Sequence, residues 1–222
     1  MNMKKVVGRK VEELRIGNIT QKSNKEKMAN IGQIWPKVLV PFVNDYTVKL
    51  TASEVSRKTK IPRRTVSRIF DNLIKVNLVR YIIEGKNKKY YLDLKEQRIK
   101  LLIGFVEYYK SLKFSLEEEK VFLILEELME LRDVVLFGSY VKGNVTIGSD
   151  IDVLVIGSEF EKIREISRRQ VKKINLHFST LKNFEKLLKK KNTLAIEIMK
   201  NHIIFGSSQF AELCWRFYRN EL

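Results

Sequence analysis

VLFGSYVKGNVTIGSDIDVLV, residues 135–155, is the stretch on which the fold turns. An apolar run from Val134 to Phe137 ends at Gly138 and Ser139, a short polar excursion follows, and a second apolar run carries Asp150 and Asp152. Residues i and i+2 of a strand share a face, so Asp150 and Asp152 present two carboxylates side by side while Ile151, Val153 and Val155 face a core. Two adjacent carboxylates repel unless a cation lies between them. An all-oxygen donor set of this kind suits Mg²⁺ or Mn²⁺, which typically bridges protein carboxylates to a substrate's phosphates. Gly138 allows a sharp turn and close approach of backbone to a ligand, and Ser139 opens a short helix whose free N–H groups attract an anion. A triphosphate would fit between the turn and the metals.

The matched positions Gly138, Ser139, Gly143, Gly148, Ser149, Asp150, Ile151 and Asp152 resemble the motif of the nucleotidyltransferase superfamily that includes DNA polymerase β, most closely the minimal nucleotidyltransferases. Lys142 stands where that family often has Arg. The resemblance extends over residues 116–222, since the tail LAIEIMKNHIIFGSSQF is similar to the closing segment of such domains. It implies in-line phosphoryl transfer with divalent metal, Asp150 and Asp152 as ligands, Gly138 and Ser139 at the triphosphate, and Ser149 supporting the carboxylates. Lys142 either reaches a phosphate or faces solvent. The family's third carboxylate lies on a later strand, and the corresponding stretch here, KKINLHFST, offers Asn175 with His177 on the same face. Neither is an anionic ligand. The resemblance therefore implies that the triphosphate-side metal survives, that the acceptor-side metal binds weakly, and that transfer is slow or absent unless His177 serves as general base. Minimal nucleotidyltransferases are often paired with a separate helical partner protein, which is a second expected partner.

Charge divides the chain. Residues 1–115 hold 26 Lys and Arg against 10 Asp and Glu, while residues 116–222 hold 17 against 16, so almost all of the net +17 belongs to the N-terminal half. Such asymmetry favours a polyanionic partner. Within that half, an apolar helical stretch runs from Ile31 to Val43. Thr51 then caps a helix from Ala52 to Thr59 with Glu54 in the capping-box position. Lys60-Ile61-Pro62 makes a turn, and a helix from Arg63 to Val76 buries Val66, Ile69, Phe70 and Leu73. Val79–Ile83 and Lys89–Leu94 alternate as strands around the tip Glu84-Gly85-Lys86-Asn87-Lys88.

This order, with LTASEVSRKTKIPRRTVSRIFDNLIKVNLV at residues 50–79, resembles a winged helix-turn-helix domain. The resemblance implies double-stranded DNA as partner, with Arg63, Arg64, Thr65, Ser67 and Arg68 as major-groove candidates and Lys86, Lys88 and Lys89 as wing contacts to phosphate. Winged helices also serve as protein-docking modules, and that reading stays open.

The expected fold class is mixed: a mainly-α winged helix-turn-helix domain followed by an α/β nucleotidyltransferase-like domain with a small mixed sheet. The expected divisions are a basic lead-in at 1–30, the winged helix at 31–95, a connecting helix at 96–114 and the nucleotidyltransferase-like domain at 115–222. The connecting helix carries Ile99, Leu102, Ile103, Val106 and Tyr109 along one side and reads as a rigid connector or a homodimer contact. Ser115 with Glu118 reads as a capping box opening a helix from Leu116 to Leu131, after which come a strand at 134–137, a short helix, a strand at 150–156, a helix at 159–169 opened by Ser158, a strand at 172–179, and helices from 182 onward. No stretch reaches the ~18 apolar residues of a membrane span and no signal-peptide core is present, so a cytoplasmic protein is expected. Cys214 reads as a packed thiol. With only His177 and His202, no zinc site is expected. Two functional readings remain: an enzyme transferring a nucleoside monophosphate to a hydroxyl acceptor, and a transcriptional regulator whose degenerate domain binds nucleotide or a partner protein without turnover.

Overall fold

The computed structural model describes residues 34–158 and 161–221. Contacts divide the chain into Met1–Pro36 and Lys37–Leu222. The lead-in, the first residues of the helix expected from Ile31, and the start of the helix behind Ser158 lie outside the described residues. Among those described, no helix is long and apolar enough to cross a membrane.

The basic half is a winged helix-turn-helix. Its elements run α1 (Trp35–Asn44), β1 (Leu50–Thr51), α2 (Ala52–Thr59), α3 (Arg63–Lys75), β2 (Val79–Glu84) and β3 (Asn87–Leu92). Thr51 and Glu54 form the full capping box: the Thr51 N–H donates to Glu54 Oε2 at 2.7 Å, and the Glu54 N–H to Thr51 Oγ1 at 3.2 Å. A cap of this kind contributes about 1 kcal/mol, and the bonds from Thr51 hold the Glu54 carboxyl below the usual range. Lys60 ends α2 in the left-handed region at φ 59. From α3, Val66, Ile69 and Phe70 are buried, while Leu73 is only half-buried. Phe70 stacks on Tyr90 with ring centroids 4.1 Å apart, which fastens the helix to the wing.

The three strands are ordered β1-β3-β2. At two residues, β1 is too short to show alternation. The hairpin is tighter than expected: β3 begins at Asn87 rather than Lys89, because Ile83 pairs with Lys88 and Ile82 with Lys89, which leaves Gly85-Lys86 as the turn. Gly85 takes φ +58 there, a conformation glycine adopts without steric cost.

Next comes α4 (Ile99–Glu117), displaced by three residues from the connector expected at 96–114. Ile99, Leu102, Ile103 and Val106 are buried against the same chain, where α4 contacts β7 (Ile203–Phe205) and α10 (Gln209–Glu221). The connecting helix is thus packed into the fold along the side that needed cover. Its interior face also carries ions. Lys110 Nζ lies 2.8 Å from Glu107 Oε2, and His202 Nε2 lies 3.0 Å from Glu107 Oε1. Burial alone would push the Glu107 carboxyl up, but Lys110 and His202 outweigh it and the net shift is down. The capping box expected at Ser115 does not form. The Ser115 hydroxyl instead donates to the Leu112 carbonyl at 2.8 Å within α4, the back-bonding a helical serine makes, while Phe114 packs edge-on to Phe205 and keeps that turn helical. The following helix, α5, accordingly starts at Glu119 and runs to Met129.

The C-terminal half is an α/β fold around a small mixed sheet. After β4 (Val134–Phe137) come α6 (Ser139–Lys142), β5 (Ile151–Ile156), α7 (Glu161–Arg169), β6 (Ile174–Ser179), α8 (Leu181–Lys189) and α9 (Thr193–Lys200), then β7 and α10. The sheet is ordered β6-β5-β4-β7, with β5 and β6 parallel and the other pairs antiparallel. Val134, Leu136, Ile151, Val153 and Val155 pack with Leu125 and Leu128 of α5 and Ile163 and Ile166 of α7 on one face. The alternation that buries Ile151, Val153 and Val155 turns Asp152 to the other face. Strand β7 falls within the stretch expected to be helical. Three consecutive apolar residues cannot declare a period, and the strand exists because Val134, Val135 and Leu136 pair with it. Cys214 is buried, which pushes its thiol up.

Candidate functional site

The register of the sheet assembles the site. Asp152 of β5 stands beside Asn175 of β6, and the parallel pairing sets Lys173 next to the position of Asp150. The Asn175 amide donates to Asp150 Oδ2 at 3.2 Å and to Asp152 Oδ1 at 3.0 Å. Lys173 Nζ lies 2.8 Å from Asp150 Oδ2. The hydrogen bond from Lys173, with that from Asn175, holds the Asp150 carboxyl below its usual value. Repulsion between the carboxylates is therefore relieved inside the chain by one amide and one ammonium. Lys173 is a residue the motif reading missed, although once Asn175 is set opposite Asp152 the parallel register carries Lys173 to Asp150.

Gly138 stands against the same pair. It adopts φ +74, and a Cβ built there would run into Asp152 Oδ2. Both the backbone angle and the space exclude a side chain, so the turn and the carboxylate meet only through glycine. Ser139 opens α6, whose last turn closes with the Lys142 N–H on the Gly138 carbonyl at 3.1 Å.

Other candidates are engaged elsewhere. The Lys142 ammonium pairs with Glu197 at 2.5 Å. The Ser149 hydroxyl accepts from the Thr146 N–H at 2.8 Å, closing the loop ahead of Asp150. His177 shares Asn175's face of β6 but is in register with Leu154, one step further from the carboxylates, with its ring 5.5 Å from that of Phe137. Asn175 and His177 line a cavity of about 480 Å³ together with Arg164 and Arg168 of α7. Among the described residues, no cluster of three or more His, Cys, Asp or Glu is placed to hold a metal ion. The two carboxylates still fit a hard cation such as Mg²⁺, which keeps several waters and completes its shell on substrate phosphates, while the Asn175 amide turns its N–H to them and adds no ligand.

On the winged helix, Arg63, Arg64 and Arg68 are exposed at the start of α3, with Thr65 and Ser67 half-buried between them. Lys86 is exposed at the turn. Lys88 Nζ sits 3.9 Å above the Tyr81 ring, and Lys89 pairs with Glu84 at 2.5 Å.

Fold and site together describe a winged helix joined to a nucleotidyltransferase-like α/β half. Residues 118–207 match the family model described as "Nucleotidyltransferase domain". A curated relative, DNA-directed RNA polymerase III subunit RPC3 of Candida albicans, is 32% identical over 76 residues, which are 34% of this chain and 13% of that protein. The chain thus spans a small part of that relative. A solved structure described as a MarR family transcription regulator aligns with 56% of this chain and 89% of its own, at 14% identity and a TM-score of 0.30.

Proposed function

We propose that residues 118–207 form a metal-dependent nucleotidyltransferase and that the winged helix directs it to, or regulates it on, double-stranded DNA. The observation that carries the first part is the meeting of Asp152 with the Gly138 turn at a point where no side chain could stand, with Asp150 joined to Asp152 through the Asn175 amide. Asp150 and Asp152 would hold the divalent cation, and Gly138 and Ser139 the triphosphate. A bound cation supplies neutralisation of charge on the phosphates and leaving pyrophosphate. The chain's own residues do the rest. The Gly138 turn lets the phosphates approach the carboxylates closely. Asn175 holds the two carboxylates in place, and His177, which lines a cavity with Asn175, would serve as the base for an acceptor hydroxyl. In the transfer, the acceptor oxygen bonds to the α-phosphorus as the bond to the bridging oxygen breaks, pyrophosphate leaves, and the hydroxyl proton passes to His177 or water.

A second reading is favoured by one specific observation: the residue opposite Asp152 is Asn175, a neutral amide donating to both carboxylates where the superfamily has a third carboxylate. In that reading the domain binds nucleotide without turnover and the protein is a regulator. Incubation of the full chain with α-labelled nucleoside triphosphates and Mg²⁺ or Mn²⁺ separates the two. Label transfer or pyrophosphate release is the outcome for the enzyme, nucleotide binding without either is the outcome for the regulator, and no binding at all removes both.

The DNA part rests on the positive charge of the basic half and on the exposed arginines of α3. The full chain should bind duplex DNA with steep salt dependence, each phosphate contact adding about 0.9 to the log–log slope. Lys86→Ala should reduce that slope by about one contact for all sequences, and Lys89→Ala by less, because Lys89 is already committed to Glu84. Arg64→Ala or Arg68→Ala should instead narrow the gap between preferred and random sequence, by about 1–3 kcal/mol. Fluorescence anisotropy across a salt series is the measurement, and a flat series would favour a protein-docking winged helix.

A further inference from the structure

We propose that the outward face of α4 is a homodimer interface, on which a second copy of this chain packs its own α4 antiparallel about a two-fold axis. The side of α4 that carries Ile103, Val106 and Phe114 is buried within the chain, yet Leu101, Phe105, Tyr108, Leu112 and Leu116 on the opposite side are each more than half exposed. Steps of four, three, four and four residues keep these five on one helix face, a stripe about 22 Å long at 1.5 Å per residue. A helix apolar on two opposite sides calls for cover on both. An exposed apolar stripe of this length marks an interaction surface.

The order of the stripe selects the partner. Counted outward from the midpoint between Tyr108 and Tyr109, Phe105 and Leu112 lie at equal distances, and so do Leu101 and Leu116. Turned end for end, the stripe therefore meets its own copy with an apolar side chain opposite each apolar side chain, which is the self-complementarity a two-fold interface requires. A different protein would impose no such symmetry on the helix. Gly104 lies beside Leu101 and Tyr108 on this face, and the space around its missing side chain is open, so a second helix can come close there.

Charge gives the direction. Lys95, Arg98 and Lys100 gather around the start of α4, and Glu117, Glu118 and Glu119 around its end. A parallel pairing would bring the glutamates of both copies together, whereas the antiparallel one sets them beside the basic end, and like charges facing across an interface are costly. Arg98, Lys100 and Glu117 already have partners within the chain, Glu96, Glu212 and Lys113, so the charges choose the orientation and the apolar stripe holds the copies together. Strand β7, on which α4 packs, is at the edge of the sheet away from β6. The interface therefore lies apart from the carboxylate site.

Sedimentation equilibrium of the full chain at micromolar concentration is expected to give twice the chain mass of 26.2 kDa. Leu112→Glu, at an exposed position where the fold tolerates a charge, should weaken self-association by about a hundredfold or more, because each dimer carries the change twice. Disulfide trapping reads the orientation. Chains carrying Leu101→Cys should crosslink to chains carrying Leu116→Cys, and neither variant should crosslink to itself, since only the mixed pair brings the two sulfurs within reach. Circular dichroism verifies that each variant is folded, and the mixed disulfide decides the question by itself should Leu112→Glu unfold. A monomer at every concentration, a folded Leu112→Glu variant that dimerises as well as the parent, absence of the mixed disulfide, or equal crosslinking of either cysteine variant alone would overturn the proposal.

Discussion

Asn175→Asp is expected to raise Mg²⁺-dependent nucleotidyl transfer by at least about tenfold and to make the melting temperature depend on divalent cation. Asn175 already touches both members of the pair, at 3.2 Å from Asp150 Oδ2 and 3.0 Å from Asp152 Oδ1, so the substitution sets a third carboxylate where a neutral amide now donates. Without metal, the change replaces two hydrogen bonds by repulsion among three carboxylates, and the folded state should be less stable. With metal, the third carboxylate supplies anionic ligation that the amide cannot, and one added ligand bond of this kind is worth roughly tenfold or more in affinity. Thermal melts with EDTA and with Mn²⁺ read the first effect and labelled-nucleotide transfer reads the second. A variant whose melting ignores metal would show that Asn175 does not stand at a metal site. A wild-type chain that transfers rapidly and is disabled by His177→Ala would show that the neutral amide suffices and that the base matters more.

What the sequence made legible follows from how local the information is. The strand at Val134–Phe137, the glycine turn, the carboxylate-bearing strand and the capped helix from Thr51 were readable because each is declared within a few residues, by an apolar run, a turn residue or a capping pair. The meeting of Gly138 with Asp152 was readable in part for the same reason, since Gly138-Ser139 and Asp150-Ile151-Asp152 are contiguous motifs. What was hidden depends on pairing across the chain. Strand β7 has only three residues and is a strand because it meets β4. Lys173 gains its place from the parallel register of β5 and β6, not from its neighbours in sequence. Ser115 and Glu118 form a correct capping pattern that tertiary packing of Phe114 on Phe205 overrides. Lys142 and Ser149 sit in the motif yet bond to Glu197 and Thr146, choices that spacing alone does not reveal.

The largest loss is expected from Asp150→Asn combined with Asp152→Asn, which should weaken Mg²⁺-dependent triphosphate binding at the Gly138 turn by more than about a hundredfold, equivalent to about 2.7 kcal/mol or more, while the protein stays folded. The cation would retain only neutral amide oxygens, and a hard divalent ion depends on carboxylate charge to offset its lost water. Stability should change little, because two opposing effects accompany the substitution. The pair's mutual repulsion disappears, and so does the attraction between Asp150 and Lys173, an exposed pair at 2.8 Å of a kind that contributes little to stability. Lys173 gives the discriminating control. If its ammonium occupies Asp150 only in place of the cation, Lys173→Met should tighten metal binding and leave nucleotide bound. If instead it turns to the phosphates once the metal arrives, the same change should weaken nucleotide at saturating Mg²⁺. Isothermal titration of Mg-ATP against all three chains, with circular dichroism to verify folding, measures each outcome. The measured quantity is the difference between titrations in Mg²⁺ and in EDTA. Undiminished Mg²⁺-dependent affinity in the double variant would remove Asp150 and Asp152 from the metal site.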